Sequence, residues 1–114
     1  MVSEEEVGDT VRKPIDADEA AEIIDWLKDA KAKSSNQWKA RANAHQAKLE
    51  DGDPRSYAEV YKNLRARQAD DKLSVADRRH LKKSARLLSE ELGHAMGTTA
   101  RKARRQIAQV TRAD

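Results

Sequence analysis

Basic side chains at helical spacing are the residues of this sequence best suited to chemistry, and that chemistry is the binding of anions. One group falls in the second half of the chain: Arg78, Arg79, Lys82, Lys83 and Arg86. Within it, positions i, i+4 and i+7 share a helix face and predict a cationic ridge that phosphates could bind. A second group lies near the C-terminus: Arg101, Lys102, Arg104 and Arg105. For each group, a solvated helix face without a partner is the alternative interpretation.

Trp38 is the aromatic residue whose position leaves two roles open. Its spacing with Ala42, His45 and Leu49 predicts a place in a helical core. That stripe is only weakly apolar, and the immediate neighbours of the tryptophan are polar or basic: Asn36, Gln37, Lys39 and Arg41. An indole exposed among basic side chains could instead stack on nucleobases or wedge between them.

The other aromatic residues have spacings that favour structural roles. Trp26 falls beside Ile23 and Ala30 on a well-formed helical stripe, which predicts that it packs inside the protein. Tyr57 and Tyr61 share one helix face with apolar residues and are predicted to be core.

No spacing in the sequence provides a catalytic, metal or cofactor site. The histidines His45, His80 and His94 form no HxxxH or HExxH pair, and the chain has no cysteine. The glycines are isolated, so no phosphate-cradling loop is predicted, and adjacent carboxylates such as Glu90-Glu91 are expected to be solvated. We therefore predict a protein that is not an enzyme and that carries no metal and no cofactor.

Composition limits the molecule to one small helical domain and suggests a polyanionic partner. The chain has 114 residues, 38% of them hydrophobic and 38% charged. Its net charge of +3 conceals −7 over residues 1–25 and +10 over residues 26–114, and a basic body of this size suggests nucleic acid. No apolar run exceeds two residues, so neither a membrane span nor a signal peptide is expected, and the predicted location is the cytoplasm.

Periodicity and capping residues predict an all-α fold, a compact bundle of about five short helices behind a short extended N-terminal tail. The helices are expected at about 16–31, 36–50, 54–69 and 74–96, with a fifth that begins after Thr98 or Thr99. Asp16 with Glu19, and Ser74 with Asp77, read as capping boxes. Pro54 suits a first helical position, and Gly52 and Gly97 suit helix ends.

A set of short motifs, in order and spacing, resembles the C-terminal helical domain of the CarD/CdnL family of bacterial transcription regulators. They are Trp38-Lys-Ala-Arg41, Lys48-Leu49, Gly52-Asp53, Ala58-Glu59-Val60, Leu64, Leu73-Ser74, Arg79, Leu81, Leu88 and Glu91-Leu92. The resemblance covers about residues 11–96, with Val11–Pro14 similar to the joint that follows the family's first domain. There are departures, since Ala40 and Ala42 stand where the family often has arginine and tyrosine, and the family's last helix is usually acidic.

The resemblance implies a function. Family members dock on the β subunit of RNA polymerase through an N-terminal β domain, and their helical domain contacts promoter DNA near the upstream edge of the bubble and stabilises the open complex. It implies that Trp38 is a minor-groove wedge and that Arg41 contacts a phosphate. The β domain is absent from this sequence, so the chain is expected to be an excised C-terminal domain or a short member of the family.

These observations lead to a defined expectation with one alternative. Residues 1–14 are expected to be a linker or the remnant of a preceding β domain, and residues 15–114 a monomeric, helical DNA-binding domain. The predicted DNA-binding residues are Trp38, Lys39, Arg41, Arg78, Arg79, Lys82, Lys83, Arg86, Arg101 and Arg105. The alternative is a protein-interaction module whose basic residues meet acidic partner surfaces without direct contact to DNA.

Overall fold

The computed structural model describes residues 14–29, 37–69 and 73–111, and within them it has five helices and no strand. The helices are α1 (Ala17–Asp29), α2 (Trp38–Glu50), α3 (Pro54–Ala69), α4 (Val75–Met96) and α5 (Ala100–Val110). The predicted all-α class is confirmed, and each predicted helix is present with ends that agree to within two residues where the structure describes them. Residues 1–13 of the predicted N-terminal tail lie outside the described residues.

Three helix starts follow the predicted capping chemistry. Ser74 and Asp77 form a complete capping box at the start of α4, where Asp77 donates its backbone N–H to Ser74 Oγ at 3.1 Å and accepts the Ser74 N–H at 3.0 Å. Asp16 accepts the Glu19 N–H at 2.9 Å, and Thr99 accepts the Lys102 N–H at 3.1 Å.

Two of the helix ends need a left-handed residue, and glycine supplies it at both. Gly97 ends α4 with φ 66°, and the next residue, Thr98, donates its N–H to Gly93 O at 2.8 Å. Gly52, with φ 79°, follows α2. Residues with a side chain rarely adopt such φ angles, so the two glycines determine where these helices end.

The longest helix, α4, is the centre of the bundle. It packs against all four other described helices, and α1, α3 and α5 surround its apolar face. Leu88 and Leu92 of α4 meet Ile23 and Leu27 of α1 and Leu64 of α3 in one continuous core, and all five side chains are almost fully buried. Tyr57 and Tyr61 are buried there too, as predicted.

Helix α2 stands at the edge of this arrangement. Among the described helices it packs on α3 and α4 only. Its buried residues are Arg41, His45 and Leu49, so two of the three are polar. This explains why the sequence shows only a faint apolar stripe here: α2 is held chiefly by polar contacts.

Candidate nucleic-acid interface

Trp38 is the first residue of α2 and projects into solvent. Its side chain is 55% exposed, the most exposed aromatic residue of the described chain. Lys39 Nζ lies 5.7 Å from the centroid of the indole ring, within the range of a cation–π contact. The core position that helical spacing allowed is therefore wrong, and the structure has an exposed indole beside Lys39.

Arg41, which the family resemblance assigns to a phosphate contact, lies inside the protein. Its side chain is 3% exposed, and its guanidinium faces inward onto Asp77 of α4. Arg41 Nε lies 3.0 Å from Asp77 Oδ1, and a terminal nitrogen lies 2.7 Å from Oδ2. The donors of this guanidinium are engaged with Asp77 inside the protein, so Arg41 fixes the position of α2 on α4.

Asp77 is fully buried and charged. Burial works against the charged carboxylate, but the hydrogen bonds from Arg41 and from the Ser74 backbone, together with the positive charge of Arg41, outweigh it. The net result lowers the pKa of Asp77 to about 2. One carboxylate thus caps α4 and anchors α2, which joins the first turns of both helices.

A pair of histidines lies one turn further along the same contact. The rings of His45 (α2) and His80 (α4) meet edge to face with centroids 6.3 Å apart, and Gln46 Oε1 lies 3.1 Å from His80 Nε2. Burial, and then the neighbouring His80, lower the pKa of His45 to about 4, and burial also lowers the pKa of His80. The Nδ1 atoms of both rings are buried without a hydrogen-bond partner in the described chain. At neutral pH both imidazole rings are therefore uncharged, so they add no positive charge to the contact between α2 and α4.

The exposed side of α4 carries three aligned cations, which we call the α4 ridge: Arg79, Lys83 and Arg86. On the helical wheel the ridge lies between the residues that face α2, such as Asp77 and His80, and the residue that faces α5, Gly93. All three ridge residues are exposed, and no carboxylate of the described chain lies within 4 Å of them. The predicted solvent-facing ridge is present.

Arg78 and Lys82 are exposed but turn away from this ridge. They line an open cavity of about 280 Å³ together with Gln68 at the end of α3 and with Leu73 and Leu81. Of the five basic residues in this group, three thus form the ridge and two lie on its flank.

The C-terminal group of basic residues lies on α5 and faces solvent. Arg101 and Arg105, both predicted to bind DNA, are exposed, and they line a groove with Arg86 and Arg104. Lys102 is exposed on another side of the same helix.

Other basic side chains serve the fold instead. Lys62 Nζ donates to Leu27 O at 2.6 Å, and a terminal nitrogen of Arg65 donates to Ala108 O at 2.9 Å. Each bond satisfies a carbonyl near a helix C-terminus, where positive charge is stabilising. These two side chains therefore form hydrogen bonds within the fold. The basic side chains of the α4 ridge and of α5, by contrast, have no ion-pair partner in the described structure.

Trp26 departs from its predicted structural role. Its side chain is 39% exposed and lines an open cavity of about 150 Å³ between α1 and α3, with Ile23, Arg55, Ala58 and Glu59. The helical stripe of α1 is real, since Ile23 and Leu27 are buried, but Trp26 lies at its edge.

Sequence reasoning missed both polar pairs that hold α2. The partners in Arg41–Asp77 and His45–His80 are more than thirty residues apart, and no local motif links them. Within the described ranges, no cluster of three or more potential ligands could hold a metal ion. Nor is any helix there both long and apolar enough to cross a lipid bilayer.

One comparison with known families gives a match. The model described as "CarD, C-terminal domain" matches residues 22–108. This region runs from α1 through most of α5, so it contains Trp38, the α4 ridge and the basic groups of α5. None of the curated proteins matches the chain.

Proposed function

Because this chain belongs to the CarD family through its C-terminal domain, we propose that it is a non-enzymatic, DNA-binding module of a transcription regulator. Membership of the family indicates a transcription-related role. The observation that carries the proposal is the placement of Trp38: a half-exposed indole on the first turn of a helix that a buried ion pair fastens beside the cationic α4 ridge.

The proposed contact combines an aromatic wedge with phosphate binding. Trp38 stacks on or between bases where the duplex begins to open. Unstacking a base step costs a few kcal/mol, and the cost is lower where the bases are already unpaired. Lys39 and the α4 ridge hold the backbone on either side of it. Since none of these groups is arranged to read base edges, the module recognises charge and fork shape more than sequence.

In transcription, this contact would act at the upstream edge of the promoter bubble. The module binds melted DNA more tightly than paired DNA, so its binding shifts the equilibrium towards the open state. In this way a module without enzymatic activity stabilises an open complex. RNA polymerase is the second proposed partner, through its β subunit and a domain outside this chain. We propose that the module acts as a monomer.

Fluorescence anisotropy with a labelled fork duplex tests the proposal. Trp38→Ala should weaken binding to the fork by about 5- to 150-fold, which corresponds to the ~1–3 kcal/mol of one base–aromatic stack. Trp26→Ala is the matched control, because it removes the second partly exposed tryptophan from α1, which does not pack on α2. Thermal unfolding of both variants would show that each remains folded.

Two results would contradict the proposal. One is wild-type binding that does not weaken as salt is raised, because phosphate contacts release counterions. The other is equal affinity of Trp38→Ala and wild type for the fork. Retention of an acidic partner protein after nuclease treatment, without any DNA binding, would favour the protein-interaction alternative.

A further inference from the structure

Four arginines from two helices line one groove beyond the Trp38 contact. Arg86 comes from α4, and Arg101, Arg104 and Arg105 come from α5. The groove is open, with a volume of about 450 Å³, and Ala100 and Ala108 contribute small side chains to its wall. Because these alanine side chains are small, the backbone of a polymer can approach the guanidinium groups closely.

The charge in this groove is almost entirely positive. Its single acidic side chain is Glu90, and no carboxylate of the described chain lies within 4 Å of any of the four guanidinium groups. Helix α5 contains four basic residues and no acidic residue. The groove therefore holds four positively charged guanidinium groups close together, and no ion pair of the described chain neutralises them.

This arrangement lowers the stability of α5. Arg101 lies three and four residues before Arg104 and Arg105, and like charges at these spacings destabilise a helix. Cations near a helix N-terminus also oppose its macrodipole. A bound anion would reverse both effects, so this part of α5 is suited to an anionic ligand.

We infer that this groove binds backbone phosphates of duplex DNA, as a second contact separate from the one at Trp38. The inference rests on the proposed function. Arg86 belongs both to the α4 ridge and to the groove, so the cationic surface is continuous from α2 to α5. Guanidinium groups bind phosphates in bidentate geometry, and four of them from two directions suit a backbone that crosses the groove.

The length of α4 sets the distance between the two contacts. Nine to thirteen residues separate Asp77, beside α2, from Arg86 and Glu90 at the groove, which is about 14–20 Å along a helix. For a duplex that runs along α4, at 3.4 Å per base pair, this length corresponds to about four to six base pairs between the two proposed contacts.

DNA fits the groove better than an acidic protein does. Protein interfaces depend on large apolar or aromatic anchors at their centre. The exposed large hydrophobic residues of the described chain are Trp26, Trp38 and Val75, and none of them lines the groove. Charge without an apolar anchor is the pattern of a phosphate site.

Charge-matched double variants test the second contact. Arg101→Gln/Arg105→Gln removes two groove cations, and Lys28→Gln/Lys102→Gln removes two cations outside the groove, one of them on the same helix. Glutamine has a helix propensity close to that of lysine and arginine, and circular dichroism would confirm that α5 stays helical. Binding to a fork with a twelve-base-pair upstream arm is measured by anisotropy over a range of salt concentrations.

The groove variant should bind the fork at least about tenfold more weakly than the control, and its salt slope should fall by about 1.8 for two lost phosphate contacts. Neutral methylphosphonate linkages four to six base pairs from the fork should weaken wild type and the control, but not the groove variant. Both double variants should keep their dependence on Trp38.

Equal affinity and equal salt slope for the two double variants would overturn the second contact and leave the Trp38 proposal standing. Loss of polyglutamate binding by the groove variant, with DNA binding intact, would overturn it too and point to an acidic protein. Failure of wild type to bind the fork would reject the proposed function itself, a different result from either.

Discussion

Arg41 and Asp77 form a bidentate ion pair inside the protein, with both side chains almost completely shielded from water. The pair links the first turn of α2 to the first turn of α4, and Trp38 lies three residues before Arg41 on α2. The position of the exposed indole thus depends on a contact that is itself hidden.

Removing one partner of this pair should destabilise the fold. Arg41→Ala leaves Asp77 charged, buried and uncompensated, and we expect a loss of about 3–5 kcal/mol in the free energy of unfolding, measured by urea denaturation. Arg41→Met/Asp77→Leu should recover part of that loss, because it removes both charges. A stable Arg41→Ala protein with weakened DNA affinity would instead restore Arg41 as a phosphate contact.

Stability should fall as the solution is acidified from pH 7 towards pH 4. His45 has a pKa of about 4 in the folded protein against 6.5 ordinarily, so the unfolded chain takes up a proton in this window and the folded protein does not. The expected loss is up to about 3 kcal/mol, seen in urea denaturation at each pH. Below pH 4, protonation of Asp77 should add to it, since its pKa is also lowered.

His45→Gln should flatten the pH dependence between pH 7 and pH 4, and His94→Gln, on the exposed part of α4, is the matched control. A wild-type protein equally stable at pH 7 and pH 4.5 would show that the buried pair of imidazoles does not behave as described.

The α4 ridge should act on DNA affinity without acting on stability. Arg79→Gln/Lys83→Gln removes two exposed side chains without ion-pair partners in the described structure, so the free energy of unfolding should change by less than about 0.5 kcal/mol. The salt slope of fork binding should fall by about 1.8. An unchanged slope in anisotropy titrations would mean that the ridge is an ordinary solvated face.

The turn between α4 and α5 should be sensitive to a single methyl group. A Cβ added at Gly93 would lie 3.0 Å from both Ala100 N and Thr99 C, which are backbone atoms that cannot rotate away. Gly93→Ala should therefore be destabilising despite the better helix propensity of alanine, and thermal unfolding would measure it. Gly97→Ala has open space but a φ of 66°, and should cost about 1–2 kcal/mol. A Gly93→Ala protein more stable than wild type would show that α5 can shift outward.

Much of the fold could be predicted from local signals, because those signals act over short distances. The Ser74–Asp77 capping box and the left-handed Gly97 end are determined within a few residues, and the apolar stripe of α4 predicts its buried face. Arg41 and Trp26 show the limit of such signals. Burial of Arg41 depends on Asp77, which is remote in sequence, and Trp26 lies at the edge of a stripe, where periodicity does not separate inside from outside.

The candidate site could be predicted in part for the same reason. Exposure of the α4 ridge follows from its position opposite the leucines of the same helix. The direction taken by Arg78 and Lys82, and the meeting of Arg86 with α5, depend on how helices pack, which spacing within one helix cannot supply.

The internal fastening of α2 also bears on what binding demands of the protein. A side chain carried on a loose loop must surrender conformational freedom when it enters a partner, and that loss subtracts from affinity. Here the helix that carries the indole is already ordered in the unbound protein, so the loss of backbone entropy occurs on folding and not on binding. With this preorganisation, more of the free energy of the contact is available to deform the DNA.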